Sequence, residues 1–154
     1  HKTVRRQRQM CIRDSLHRMN SKYLKELGFD ELKKITNPIF NQSFWDIVKC
    51  NIDNIKEAED WYEIINSELI LEDKVVLSND LKKIILDELP EKINSKTWME
   101  WTKKILEKCD IKPKELYTKL RIILTGKKFG PSMNNLLTLL DTKEIVNRIK
   151  VNSE

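Results

Sequence analysis

Lys119-Leu120-Arg121-Ile122-Ile123-Leu124-Thr125-Gly126-Lys127-Lys128-Phe129-Gly130-Pro131 carries two of the three glycines in a chain of 154 residues. A helical pattern runs into it and another leaves it. Upstream, Leu116, Leu120, Ile123 and Leu124 recur at helical spacing, with Pro113 suited to the first turn and Gly126 to the position just past the end. Downstream, Pro131 opens a pattern carried by Met133, Leu136, Leu137 and Leu140. Helix, basic turn, helix is the reading, and an all-α fold is expected. In a chain with so few glycines, this turn is where the backbone can approach another molecule closely.

The same periodicity extends in both directions. Before the turn, Ser95 is placed to cap a helix with Trp98, Trp101, Ile105 and Cys109 on one stripe, and Ser78-Asn79-Asp80 to cap another in which Leu81, Ile84, Ile85 and Leu89 run to Pro90. Two tryptophans on one stripe read as core rather than as a ligand platform. After the turn, Asp141 and Glu144 form a capping-box-like signal for a last helix with Ile145, Val146 and Ile149. Nearer the start, Leu16, Met19, Tyr23, Leu24 and Leu27 form a stripe closed by Gly28, and Asp30 caps a short helix that Asn37-Pro38 breaks. From Ser43, Phe44, Ile47, Val48 and Cys50 or Asn51 share a face, followed after Asp53 by Ile55, Ala58, Trp61, Tyr62 and Ile65, as two helices or one bent helix. Residues 67–77 contain Leu69-Ile70-Leu71 and Val75-Val76-Leu77, short apolar pieces without visible partner strands, and read as an ordered connector. Two packed helical subdomains are expected, 16–78 including the connector and 79–154.

Composition agrees with a helix-rich chain: 34% of residues are charged, against three glycines and four prolines. No apolar run approaches the roughly 20 residues that span a bilayer, and no secretory leader pattern opens the chain, so a cytosolic protein without membrane contact is expected. The charge is unevenly placed. Residues 1–15 hold a net +4 of the total +5, leaving about +1 on the other 139. A diffuse basic surface is therefore absent, and any nucleic-acid site must be local. The leader lacks apolar periodicity, resembles a translated sequencing adaptor, and is set apart as foreign-looking or disordered. A basic arm that folds onto RNA is the competing reading of residues 1–15.

Chemistry by the chain itself finds little support. Cys11, Cys50 and Cys109 are far apart in sequence, and both histidines, His1 and His17, stand at the start, so neither metal-ligand spacing nor a Cys/His nucleophile pair is present. Cys50 and Cys109 are expected to be buried, reduced thiols. No phosphate-binding glycine loop, His-Glu-x-x-His or Ser/His/Asp set occurs. Glu57, Glu59, Asp60 and Glu63 fit a solvated helix face. No catalytic residue and no metal site are expected.

The turn after Arg121 suits single-stranded RNA, whose splayed bases are bound by stacking and by fixed polar groups, with cations at the phosphates. Phe129 can stack, Pro131 can offer a rigid apolar edge, Lys127 and Lys128 can meet phosphates, and Arg121 can reach a base with its planar fork. Gly126 and Gly130 remove side-chain bulk. On residue chemistry alone, a glycine-capped helix end with solvated lysines and a surface Arg121 remains the competing reading.

Leu120-Arg121-x-x-Leu124-Thr125-Gly126, Gly130-Pro131, Leu136-Leu137-x-Leu139-Leu140 and Ile145-Val146-x-Arg148-Ile149 follow in an order and spacing that resemble the C-terminal anticodon-binding region of bacterial glutamyl-tRNA synthetase. Met19-Asn20-Ser21-Lys22-Tyr23-Leu24 is similar to that family's Leu-Asn-x-x-Tyr-Ile/Leu segment, and Trp98 to its tryptophan near the start of the last subdomain. The resemblance runs from about Leu16 to the end. It implies that Arg121 contacts an anticodon base, with Phe129, Gly130, Pro131 and Met133 against the splayed bases; Phe129 and Met133 match by place rather than identity. The family's adenylating signatures, His-Ile-Gly-His and Lys-Met-Ser-Lys-Ser, do not occur here. The resemblance thus implies tRNA binding without glutamate activation, ATP and magnesium belonging to a catalytic half that is missing, and a monomer that takes tRNA-Glu, with tRNA-Gln left open, and no DNA. A helical protein-interaction or structural module without RNA binding is the alternative, with Trp98, Trp101 and the leucine faces as its docking surface.

Overall fold

The computed structural model describes residues 2–154, and His1 lies outside the described residues. Each helix expected from the pattern has a counterpart, the one from Pro131 cut to a single turn, and no β-strand occurs among the described residues. Contacts divide the chain into two units, His1–Tyr62 and Glu63–Glu154.

In the first unit, α1 (Lys2–Glu26) is one continuous helix. The expected leader is therefore helical rather than disordered, because nothing between Lys2 and Leu27 breaks a helix: the stretch has no glycine or proline. The inward stripe is shorter than its periodicity suggested. Leu24 and Leu27 are buried, whereas Leu16, Met19 and Tyr23 are more than half exposed, since the rest of the unit packs only against the C-terminal end of the helix. Asn20 marks the far edge of that contact, donating its side-chain N–H to the carbonyl of Asp53.

Gly28 does not merely close α1. It stands at the N-cap of α2 (Phe29–Ile35) with extended backbone, and Glu31 Oε2 accepts its N–H at 3.2 Å. α3 (Gln42–Val48) starts one residue before the expected Ser43 because Asn41 caps it, accepting the N–H of Phe44 at 2.9 Å. The helix then tightens into a single 3-10 turn, Lys49–Asn51, which swings Cys50 out to solvent. Cys50 is thus exposed, not buried as expected. α4 (Ile55–Asn66) begins after Asn54, whose Oδ1 accepts the N–H of Glu57 at 3.0 Å. The core of this unit is aromatic: Phe40, Phe44 and Tyr62 meet with ring centroids 5.2 to 6.2 Å apart, and Trp45 donates its indole N–H to the carbonyl of Leu27 at 2.9 Å.

The second unit includes the last residues of α4, the connector, and five further helices. α5 (Asn79–Asp87) is capped by Ser78 as the sequence indicates. α6 (Thr97–Lys108) starts one residue later than a cap at Ser95 would place it, with Lys96 at the cap position and Thr97 Oγ1 accepting the N–H of Asn94 at 2.8 Å. α7 (Pro113–Thr125) has its proline in the first turn and ends on Gly126 at φ 70°, whose N–H returns to the carbonyl of Ile122 at 2.8 Å. The helix expected from Pro131 is shorter: α8 (Met133–Leu136) is one turn that continues as a 3-10 turn, Leu137–Leu139. Asp141 caps α9 (Thr142–Asn152), accepting the N–H of Glu144 at 2.7 Å. Trp101, Ile105, Leu116, Leu120, Ile123, Leu124, Leu136, Leu137, Ile145 and Ile149 form the core.

Residues 67–77, expected to go with the first subdomain, belong with this second unit. Val75 forms an isolated parallel bridge with Ser153, the partner that the local pattern did not reveal. Val75 N–H donates to the carbonyl of Asn152 at 2.9 Å, and Leu77 N–H to that of Glu154 at 2.8 Å. The Asn152 side chain is fully buried; it accepts the N–H of Leu71 at 2.9 Å and donates to the carbonyls of Leu69 and Ile123 at 2.9 and 3.1 Å. Each polar atom of this amide is thereby satisfied.

Arg148 does the same at larger reach. Its guanidinium is 1% exposed and donates to the carbonyl of Leu124 near the end of α7 at 2.7 Å, to those of Ile64 and Ser67 at 2.7 and 3.1 Å at the end of α4, and to Glu144 at 2.6 Å. Terminal carbonyls have no partner within their own helix, and a cation there also complements the helix dipole. One buried arginine therefore closes two helix ends.

Candidate nucleic-acid interface

Local backbone chemistry builds the turn after α7. Gly126 takes the left-handed conformation that ends the helix, and the Thr125 hydroxyl lies 2.7 Å from the carbonyl of Arg121 and 3.2 Å from both the N–H and the carbonyl of Lys127. Gly130 sits at φ 151°, a value that side-chain-bearing residues rarely adopt. Arg121 then spans the turn, donating from Nη1 to the carbonyl of Pro131 at 3.0 Å. The bond holds a planar cation in place before any ligand arrives.

Arg121 is half-buried, and desolvation lowers its pKa from the usual arginine value. The group remains charged at neutral pH, because guanidinium starts far above it. With one N–H committed to Pro131, the rest of its five-donor fork is left for a ligand. It lines an open cleft of about 270 Å³ with Trp98, Tyr117, Thr118, Lys128, Ser132, Met133 and Asn134. Trp98 and Tyr117 form one wall, their ring centroids 5.9 Å apart and tilted by 46°.

The sequence-derived site residues are therefore sorted by the fold. Arg121, Lys128 and Met133 converge on the cleft. Met133 is only 3% exposed and faces other protein atoms over most of its surface, so it shapes the cleft rather than offering a free stacking surface. Pro131 is buried, and what it contributes is its carbonyl; the rigid apolar edge expected of it is not presented to solvent. Phe129 is 85% exposed at the tip of the turn, outside the cleft lining. Lys127 is half-buried beside Thr125, and Gly130 at φ 151° links the exposed Phe129 to the buried Pro131.

Trp98 and Tyr117 are the residues that the sequence reading missed. The shared stripe places Trp98 in the core with Trp101, and the two differ in the fold: Trp101 is buried, with its indole N–H donated to the carbonyl of Ile85 at 2.9 Å, whereas Trp98 is half-exposed. The signal was present in the spacing. Trp98 and Trp101 are three residues apart and so differ by about 60° around the helix, enough to put one indole in the core and the other at its rim. Cys109, at the end of the same stripe, is half-buried rather than buried, because α6 ends at Lys108 and its stripe no longer applies.

Among the described residues, no group of three His, Cys, Asp or Glu side chains is placed to hold a metal ion, and no helix is long and apolar enough to cross a membrane. What the second unit presents is an all-α scaffold with a cationic, aromatic-walled cleft at a glycine-capped helix end. The chain belongs to the anticodon-binding domain family: the model of that family, described as "Anticodon binding domain", matches residues 15–152. Curated relatives point the same way. It is 36% identical to glutamate--tRNA ligase 1 of Wolbachia sp. subsp. Brugia malayi over 138 residues, 88% of this chain and 31% of that protein. It is 34% identical to glutamate--tRNA ligase 2 of Bartonella bacilliformis over 144 residues, 86% of this chain and 30% of that protein. Glutamate--tRNA ligase 1 of Rickettsia bellii is 36% identical over 141 residues, 88% of this chain and 32% of that protein. The chain thus spans about a third of the length of these relatives.

Proposed function

We propose that this chain binds the anticodon loop of tRNA, as the anticodon-binding part of a glutamate--tRNA ligase that acts on tRNA-Glu in the cytoplasm as a monomer. The observation that carries this reading is Arg121, tethered through Pro131 at a cleft walled by Trp98 and Tyr117, within a chain of the anticodon-binding domain family. An unstacked base enters such a cleft edge-first, stacks on an aromatic wall and meets the guanidinium donors. Lys127 and Lys128 contact phosphates of the loop, and the exposed Phe129 stacks on a neighbouring base. Gly130 and Pro131 set the path of the turn, and Met133 supplies an apolar surface. On this reading ATP and magnesium belong to other parts of such a ligase, and this chain contributes positioning and anticodon discrimination.

Fluorescence anisotropy with a labelled anticodon stem-loop of tRNA-Glu, and with an anticodon-swapped control, tests the assignment. Arg121→Ala should weaken binding to the cognate loop by about 1–3 kcal/mol and narrow the difference between the two loops. Unchanged affinity and unchanged discrimination in a folded variant would sink the reading and leave a helical interaction module in its place.

A further inference from the structure

An α-helix continues by giving each carbonyl the N–H four residues on, so the end of α7 depends on what reaches its last carbonyls. Ile122 receives the N–H of Gly126 at 2.8 Å. Ile123 would receive that of Lys127 if the helix went on, but the Lys127 N–H points to Thr125 Oγ1 at 3.2 Å. The Ile123 carbonyl instead accepts a side-chain N–H of Asn152 at 3.1 Å, and the Leu124 carbonyl accepts from Arg148 at 2.7 Å. Two side chains of α9 stand in for the next turn of α7.

Glycine permits the stop at Gly126 without enforcing it, because it adopts right-handed helical angles as well as left-handed ones, and the lysines that follow are good helix formers. One more residue of helix would rotate the outgoing chain by about 100° and carry it about 1.5 Å further along the axis. That would displace Pro131, whose carbonyl holds Arg121 at 3.0 Å.

Asn152 does more than fill one acceptor. Fully buried, it also donates to the carbonyl of Leu69 and accepts the N–H of Leu71, both at 2.9 Å. Leu71 in turn closes on Gly126, where a Cβ would lie 3.3 Å from Leu71 Cδ2. One amide therefore holds both the carbonyl that a longer α7 would use and the side chain that covers the residue where it stops. Resting on the anticodon-loop reading above, we propose that Asn152 is a positioning residue for the RNA-binding turn. It touches no RNA; it fixes the end of α7 at Gly126, so that the tether between Arg121 and Pro131 forms. Arg148 braces the neighbouring carbonyl, but its further bonds to the end of α4 spread the effect of losing it over the whole unit. Asn152 isolates the effect on the turn.

The test uses the full chain and the labelled anticodon stem-loop of tRNA-Glu, with affinity read by anisotropy at a temperature where circular dichroism shows each variant folded. Asn152→Leu should weaken binding about fivefold in the wild-type background and by less than about twofold in the Arg121→Ala background, because residues that act through one another are not additive. A purely structural role lowers the folded fraction alike in both backgrounds, so equal losses would overturn the proposal. Wild type supplies a second measurement that needs no variant to fold. Whatever binds the stopped helix strengthens the bonds that hold it, so saturating stem-loop should slow hydrogen exchange at the Leu71 N–H by about threefold or more. The Leu81 N–H, bonded to Ser78 at the start of α5, should exchange as before. Equal slowing at both, or none at Leu71, counts against Asn152 as decisively as equal losses would. If Arg121→Ala weakens binding while folded Asn152→Leu does not, the anticodon reading stands and the role of Asn152 falls. If Arg121→Ala leaves binding unchanged, both fall together.

Discussion

Arg148 and Trp98 show how far a residue's role depends on its surroundings. In the chain, Arg148 is one cation among 29 lysines and arginines, yet in the fold it is the most deeply buried of the described charges and the common partner of two helix ends and Glu144. Arg148→Met keeps much of the volume but strands the carbonyls of Leu124, Ile64 and Ser67 without a donor. Losing one member of a buried charged network costs about 3–5 kcal/mol, and the urea midpoint of unfolding should fall accordingly. A loss below about 1 kcal/mol would mean that water replaces the guanidinium at those carbonyls. The capping box expected at Asp141 and Glu144 is likewise only half realised: Asp141 caps the backbone, while the carboxylate of Glu144 is taken by Arg148. Hydrophobic spacing identified α9 but had no means of indicating that its arginine faces inward.

Helix α7 and the turn after it were the most legible part of the chain. Proline in the first turn, apolar residues on one stripe and glycine just past the end are each local signals, and the helix runs between the expected ends. Gly126 carries a further constraint that locality hides. A Cβ there would lie 3.3 Å from Leu71 Cδ2 and 3.6 Å from Leu69 Cδ1, on a backbone already at φ 70°. Gly126→Ala should therefore cost about 1–3 kcal/mol in thermal unfolding, through backbone strain with a crowded connector added. The connector itself was the least legible element: its partner, the end of α9, lies almost 80 residues on, and a parallel bridge leaves no periodic trace at either end. Short elements suffered similarly. The pattern from Pro131 to Leu140 suggested one helix, but its backbone changes from α to 3-10 after a single turn.

Along the sequence, most of the net charge lies far from the proposed recognition turn at Arg121. The first 15 residues carry most of the net charge, and every one of their side chains whose burial is described is exposed on α1. Deleting residues 1–15 should leave the unfolding free energy within about 0.5 kcal/mol of wild type, as for surface changes generally. With recognition centred on Arg121, the salt dependence of anticodon-loop binding should also be unchanged by that deletion; a slope of log K against log salt that becomes shallower by about 0.7 per lost contact would instead reveal a basic arm on single-stranded phosphates.

Helical class, the helix ends marked by Pro113, Gly126 and Asp141, and the importance of the turn at Arg121 follow from short-range signals: spacing of apolar residues, capping side chains and the conformational range of glycine. These act within a few residues and can be read along a line. The cleft is different. It exists because Trp98 stands at the rim of α6 beside Tyr117 of α7, and because Pro131 turns inward and offers its carbonyl to Arg121. Each depends on which residues from separate elements come into contact and on which surface is left open once the core is filled. That is a property of packing in three dimensions, and periodicity along the chain does not encode it.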